Sequence, residues 1–126
     1  MTQKSLILSI FIFSALTACV TRFPGNSVAE TRLQQDALPM VTTMVAAKSK
    51  CSETPLINDT QVLTKPEPVK NFPDSYSWNE LWVLSACDKL YGAPVHFLYT
   101  KGKGTDFMLK EDLIRTVTVA DEQETK

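Results

Sequence analysis

Hydrophobic and polar residues are spread unevenly along the chain, and each change of pattern marks a segment. Residues 6 to 13, LILSIFIF, form a nearly unbroken apolar run, preceded by Lys4 and followed by small residues up to Cys19. Residues 20 to 29, VTRFPGNSVA, carry no period and read as a tether. From 30 to 51, ETRLQQDALPMVTTMVAAKSKC, the positions Val41, Met44, Val45 and Lys48 fall at the three-and-four spacing of one helical face. Pro39 stands where a helix capped by Asp36 has its third residue, and a missing N–H costs nothing there. The firm helix is therefore expected from about residue 37, with 30 to 35 left open. Lys48 and Lys50 suit its negative end.

Past Cys51 the pattern turns to strands. Residues 52 to 77 hold four of the seven prolines, so only TQVLT at 60 to 64 reads as a strand there, and PEP and FPD read as loop. ELWVLSAC at 80 to 87 and PVHFLYT at 94 to 100 are rich in branched and aromatic residues; DFMLK at 106 to 110 follows the turn KGKG, and LIRTVTV at 113 to 119 alternates. The expected fold is α+β, one main helix packed on an antiparallel meander of four or five strands. Along 81 to 87, alternation puts Leu81, Val83, Ser85 and Cys87 on one face and Trp82, Leu84 and Ala86 on the other. If Cys51 ends the helix and bonds Cys87, the helix lies over the Val83 face unless a bulge shifts the count.

The first segment has the three-part build of a secretory signal peptide, basic, apolar, then small. Its apolar run falls short of the ~20 residues a spanning helix needs. Leu16-Thr17-Ala18-Cys19 resembles the lipobox of bacterial lipoproteins. That resemblance implies diacylglycerol on the Cys19 thiol, cleavage before it, and an acylated new amino terminus, so that the membrane is contacted through lipid. In that family the residue after the cysteine biases sorting between the two membranes of a Gram-negative envelope. Val20, where an aspartate would imply retention at the inner membrane, implies an outer-membrane anchor facing the periplasm. The domain expectations are a signal peptide at 1–18, a lipidated tether at 19–29, a small α+β domain at 30–120 and a flexible tail at 121–126.

Of thirteen basic residues only Lys4 precedes Cys19, leaving twelve against fourteen acidic groups. No block of like charge appears, and TKGKG at 100 to 104 is too short for a nucleic-acid surface, so nucleic acid is set aside. With Cys19 lipidated, Cys51 and Cys87 remain as a pair in an oxidising compartment, and they are expected to form a structural disulfide. Closing that loop stabilises the fold by about 3 to 4 kcal/mol in the chain-entropy model. KCSE at 50 to 53 and WVLSACDK at 82 to 89 also resemble a type of small secreted or lipid-anchored bacterial domain: a helix, a Cys often followed by Pro, and a Trp-x-Val-x-x-Cys-Gly strand. Ser52, Leu84 and Asp88 depart from that pattern. The resemblance implies the fold and the disulfide but no activity, and the lost glycine at Asp88 raises the expectation of a bulge.

Catalytic constellations are not found in the sequence. His96, the single histidine, is mid-strand with no nucleophile elbow and no metal-ligand spacing around it; it reads as a surface or sheet-packing residue. Glu111 and Asp112 read as a solvated turn, and GKG at 102 to 104 as a hairpin turn with no strand-loop-helix unit for a phosphate. No enzyme, metal or cofactor is expected. Tyr76, Trp78, Trp82, Tyr91, Phe97 and Tyr99 cluster in the strand region. Trp82 and Phe97 read chiefly as core; Trp78, with Trp82, is a candidate protein contact. The expected function is a non-catalytic envelope lipoprotein binding another envelope protein. The rival is a module for a small ligand or glycan, or one that inhibits a hydrolase.

Overall fold

The helix begins earlier than its period suggests. The computed structural model describes residues 22–118, and α1 spans Thr31–Ser49. Its buried stripe is Gln34, Ala37, Val41 and Val45, three to four residues apart, so the face that packs already exists before Asp36. Pro39 lies inside the helix on its exposed side, where the backbone carbonyl it leaves unpaired can meet water. Thr42 Oγ1 donates to Leu38 O at 3.0 Å in the same turn. The helix ends at Lys50 in the left-handed region, φ 55°.

The sheet is antiparallel in the order β1-β2-β3-β4, with β1 Leu56–Val69, β2 Phe72–Ala86, β3 Lys89–Thr100 and β4 Gly104–Leu109; β5, Arg115–Val117, also pairs with β3. The expected α+β meander with its disulfide is what the chain adopts. The proline-rich stretch read as loop is instead the long hairpin of β1 and β2, turning at Lys70 and Asn71. Pro66 and Pro68 are tolerated because β1 lies at the edge and slips register between Val62 and Thr64 and again between Thr64 and Glu67, around Pro66; Pro73 of β2 precedes Ser75, where pairing with β3 begins. KGKG turns as expected, with Gly102 and Gly104 both at positive φ. Glu111–Leu113 form one exposed turn of 3₁₀ helix between β4 and β5.

Helix and sheet meet over the face opposite to the one parity suggested. Trp78, Trp82, Leu84 and Ala86 of β2 and Tyr91, Ala93, Val95 and Phe97 of β3 form one core with Ala37, Val41 and Val45. The reason lies at Cys87. Ala86 pairs with Lys89, so Cys87 and Asp88 are the two residues of a tight turn, at φ 46° and 64°. Cys87 is therefore not a strand residue, and strand alternation says nothing of where its sulfur points. Asp88 supplies the positive φ that a glycine would, in a turn and not in a bulge.

The expected tether is also revised over its described part. Residues 22–29 are a docked strap, not a linker: Phe23, Ser27 and Ala29 are buried. Phe23 meets the Trp82 ring edge to face at 5.3 Å, and Phe23 N–H donates to the buried Gln34 Oε1 at 2.9 Å. Gly25 allows this close approach, since a Cβ there would lie 2.1 Å from Thr60 O, and its φ is +100°. The fold thus starts at or before Arg22. The apolar run, Cys19 and the tail 121–126 lie outside the described residues. Among the described residues no helix is long and apolar enough to cross a membrane.

Candidate functional site

The pentapeptide WNELW, residues 78 to 82, organises the site. On a strand its first, third and fifth residues share a face, so Trp78, Glu80 and Trp82 all point toward α1. Glu80 is fully buried. Its Oε2 accepts from Trp78 Nε1 at 2.7 Å and from Val28 N at 3.1 Å, while Oε1 accepts from Trp82 Nε1 at 3.1 Å. No cation among the described residues pairs with it, so three N–H donors carry the cost of burying this carboxylate. Both tryptophans of the chain are therefore tied to one side chain.

Thr60 repeats the device on β1. Its hydroxyl donates to Pro24 O at 2.7 Å and accepts from Ser27 N at 3.2 Å, and its carbonyl accepts from Asn26 N at 2.9 Å. Arg22 donates to Ser27 O across the strap. Glu80, Thr60 and Gln34 are thus three buried polar side chains, one from each neighbouring element, that bind the strap's backbone. Gln34 Nε2 is buried without a partner among the described residues.

Where the strap passes into α1, a groove of about 510 Å³ opens against the sheet. Its floor is Tyr76, Trp78 and Tyr99 with Pro66; its wall is Val28 and the first turns of α1, with Glu30, Arg32 and Asp36 on the rim. Tyr76 and Tyr99 are direct cross-strand partners. They continue the core face past the cover of the helix, which is why both are exposed, 41% and 38%. Trp78 is fixed below them by stacking on Phe97, centroids 5.0 Å apart and planes 12° off parallel. Glu80 holds Val28 of the wall and Trp78 of the floor through the same oxygen, so it positions the groove without lining it. The side chains of Glu30, Arg32, Asp36, Tyr76 and Tyr99 engage no partner among the described residues.

Trp82 is fully buried and so cannot be the protein contact expected of it; Trp78, 6% exposed, is core with one edge in the groove rather than the exposed contact expected. Cys51 and Cys87 are bonded, their Cα atoms 5.9 Å apart, which ties the end of α1 to the β2–β3 turn. Among the described residues the one close cluster of potential ligands is Cys51, Glu53 and Cys87, and its sulfurs are committed to each other. His96 Nδ1 lies 2.9 Å from Asn79 Oδ1, on the sheet face away from α1, and Asn79 Nδ2 in turn donates to Thr64 Oγ1 at 2.9 Å. Glu111 and Asp112 are exposed on the 3₁₀ turn. Cys19 lies outside the described residues. Strand parity applied to WNELW was the available signal for Glu80, and the helical period carried back from Val45, Val41 and Ala37 was the signal for Gln34; for Thr60 and the strap the sequence carries none.

Comparison with known proteins finds no matching family model, no matching curated protein and no matching solved structure.

Proposed function

We propose that the protein is a non-catalytic binding module of the bacterial cell envelope, lipid-anchored through Cys19 at the periplasmic face of the outer membrane, whose groove takes a segment of another envelope protein. The observation that carries the groove's part in this reading is the pair Tyr76 and Tyr99, exposed side by side on a floor made rigid by the Trp78 stack. Aromatic and arginine side chains are the residues on which interface energy concentrates, and here they surround a concavity of ligand-binding size. Rim charges of both signs, Glu30, Asp36 and Arg32, suit the polar groups of a peptide segment. The anchor rests on the LTAC motif alone.

One feature also suits a glycan: the two phenol hydroxyls and the rim carboxylates lack partners among the described residues and lie beside flat aromatic faces. Co-purification with a tagged full-length protein separates the readings. A stoichiometric envelope protein that is lost when Tyr76 and Tyr99 are both changed to Ala supports the first. Absence of any protein partner, together with a rise in melting temperature on adding envelope glycans, replaces it with the second.

A further inference from the structure

The docked strap fixes where the domain sits once it is anchored, a consequence that rests on the reading of Cys19 as the lipidated residue. Only two residues, Val20 and Thr21, separate Cys19 from Arg22, the first described residue of the strap. Three Cα–Cα steps span at most about 11 Å, however the chain runs. From Arg22 onward the strap has little freedom: Phe23 is in the core, Gly25 is closed against Thr60, and the backbone of residues 23, 26, 27 and 28 is bonded to Gln34, Thr60 and Glu80.

We infer that the strap and the β1 edge form a lipid-facing surface, pressed against the bilayer headgroups by an anchor too short to let the domain swing away. A reach of about 11 Å from Cys19 keeps the surface from which Arg22 leaves beside the headgroups, and that surface is the strap. Register defines the opposite side. Asp59, Val83, Gly92 and Arg115 are neighbours in one row across β1, β2, β3 and β5, so β5 lies three strand spacings, about 14 Å, from the edge that carries the strap. β1 faces the lipid and β5 faces away. The groove shares Val28 and Ala29 with the strap, so it opens close to the membrane and takes partners lying near that surface.

The test uses the full-length protein purified from envelopes and placed in phosphatidylethanolamine–phosphatidylglycerol vesicles. p-Benzoylphenylalanine replaces either Asn26, exposed on the strap, or Thr116, exposed on β5. Intact mass is read first: no acyl mass on Cys19 overturns the anchor reading itself. With the acyl mass present, the expected result is a light-induced lipid adduct at position 26 and none at 116. Insertion of a Gly/Ser spacer of about 15 residues between Val20 and Thr21, with a root-mean-square length of about 20 Å, then removes the adduct. Equal adducts at both positions, or an adduct at 26 that survives the spacer, overturns the short-anchor inference while leaving the lipoprotein reading standing.

Discussion

Replacing Glu80 with Gln tests whether the buried carboxylate holds the strap, both tryptophans and the groove together. The amide is almost isosteric, but it has one accepting oxygen where the carboxylate has two. Oriented to keep the two donors on Oε2, Val28 N–H and Trp78 Nε1–H, it turns its NH₂ toward Trp82 Nε1–H, donor against donor at the position of the present 3.1 Å bond. One hydrogen bond to a charged acceptor, about 1.5 to 3 kcal/mol, is lost, and the indole N–H stays buried and unpaired. Burying a neutral amide costs less than burying a carboxylate, which returns part of this. The expected net loss is about 2 kcal/mol, a fall of about 8 to 16 °C in melting temperature for a domain of this size. Urea unfolding followed by far-ultraviolet circular dichroism measures it. Trp82→Phe supplies the control, because it removes the donor that Gln cannot satisfy. In that background Glu80→Gln should cost less than half as much. A neutral or stabilising Glu80→Gln, or strictly additive losses with Trp82→Phe, would refute the assignment.

Further outcomes follow from other contacts. Gly25→Ala places a methyl 2.1 Å from Thr60 O at φ +100°, so the strap must lift; a loss of about 2 to 3 kcal/mol is expected, and proteolysis should begin within residues 22–29, where the parent resists it. Cys51→Ala and Cys87→Ala should each cost about 3 to 4 kcal/mol and the double variant no more, while clearly additive losses would contradict a single shared bond. Changing Tyr76 and Tyr99 together to Ala removes a half-covered cross-strand pair and should cost about 1 to 2 kcal/mol, leaving the domain folded by circular dichroism, yet abolish partner capture. Cys19→Ala should release the protein from membrane fractions; continued sedimentation that resists extraction would sink the lipid anchor.

What the sequence disclosed and what it withheld divide along physical lines. The helical face of Val41 and Val45, the strands around Trp82 and Phe97 and the disulfide partners rest on local period and on residue chemistry, so they could be read directly. The β1–β2 hairpin was hidden because Pro66 and Pro68 break strand propensity, and their tolerance depends on β1 being an edge strand, which is a property of the sheet. The helix packs on the face opposite to the one expected because the tight turn at Cys87 and Asp88 ends the alternation at Ala86, immediately before the cysteine from which the face was inferred. The strap and its buried partners Gln34, Thr60 and Glu80 lie far apart in sequence and look like surface residues by type; parity and period place Glu80 and Gln34 on core-facing positions, but only tertiary contact shows that the strap covers them. The groove inherits that opacity, since its rigidity comes from Glu80 and its exposure from where α1 begins.

The most direct test of the groove as a protein-binding site is photo-cross-linking in intact cells. p-Benzoylphenylalanine is placed at Tyr99 in the groove or, as a comparison, at Met108, which is 55% exposed on β4 in register with His96, on the sheet face away from α1. The account predicts one dominant envelope protein in the adduct from position 99 and none from position 108. No protein adduct from position 99, or the same adducts from both positions, would contradict it.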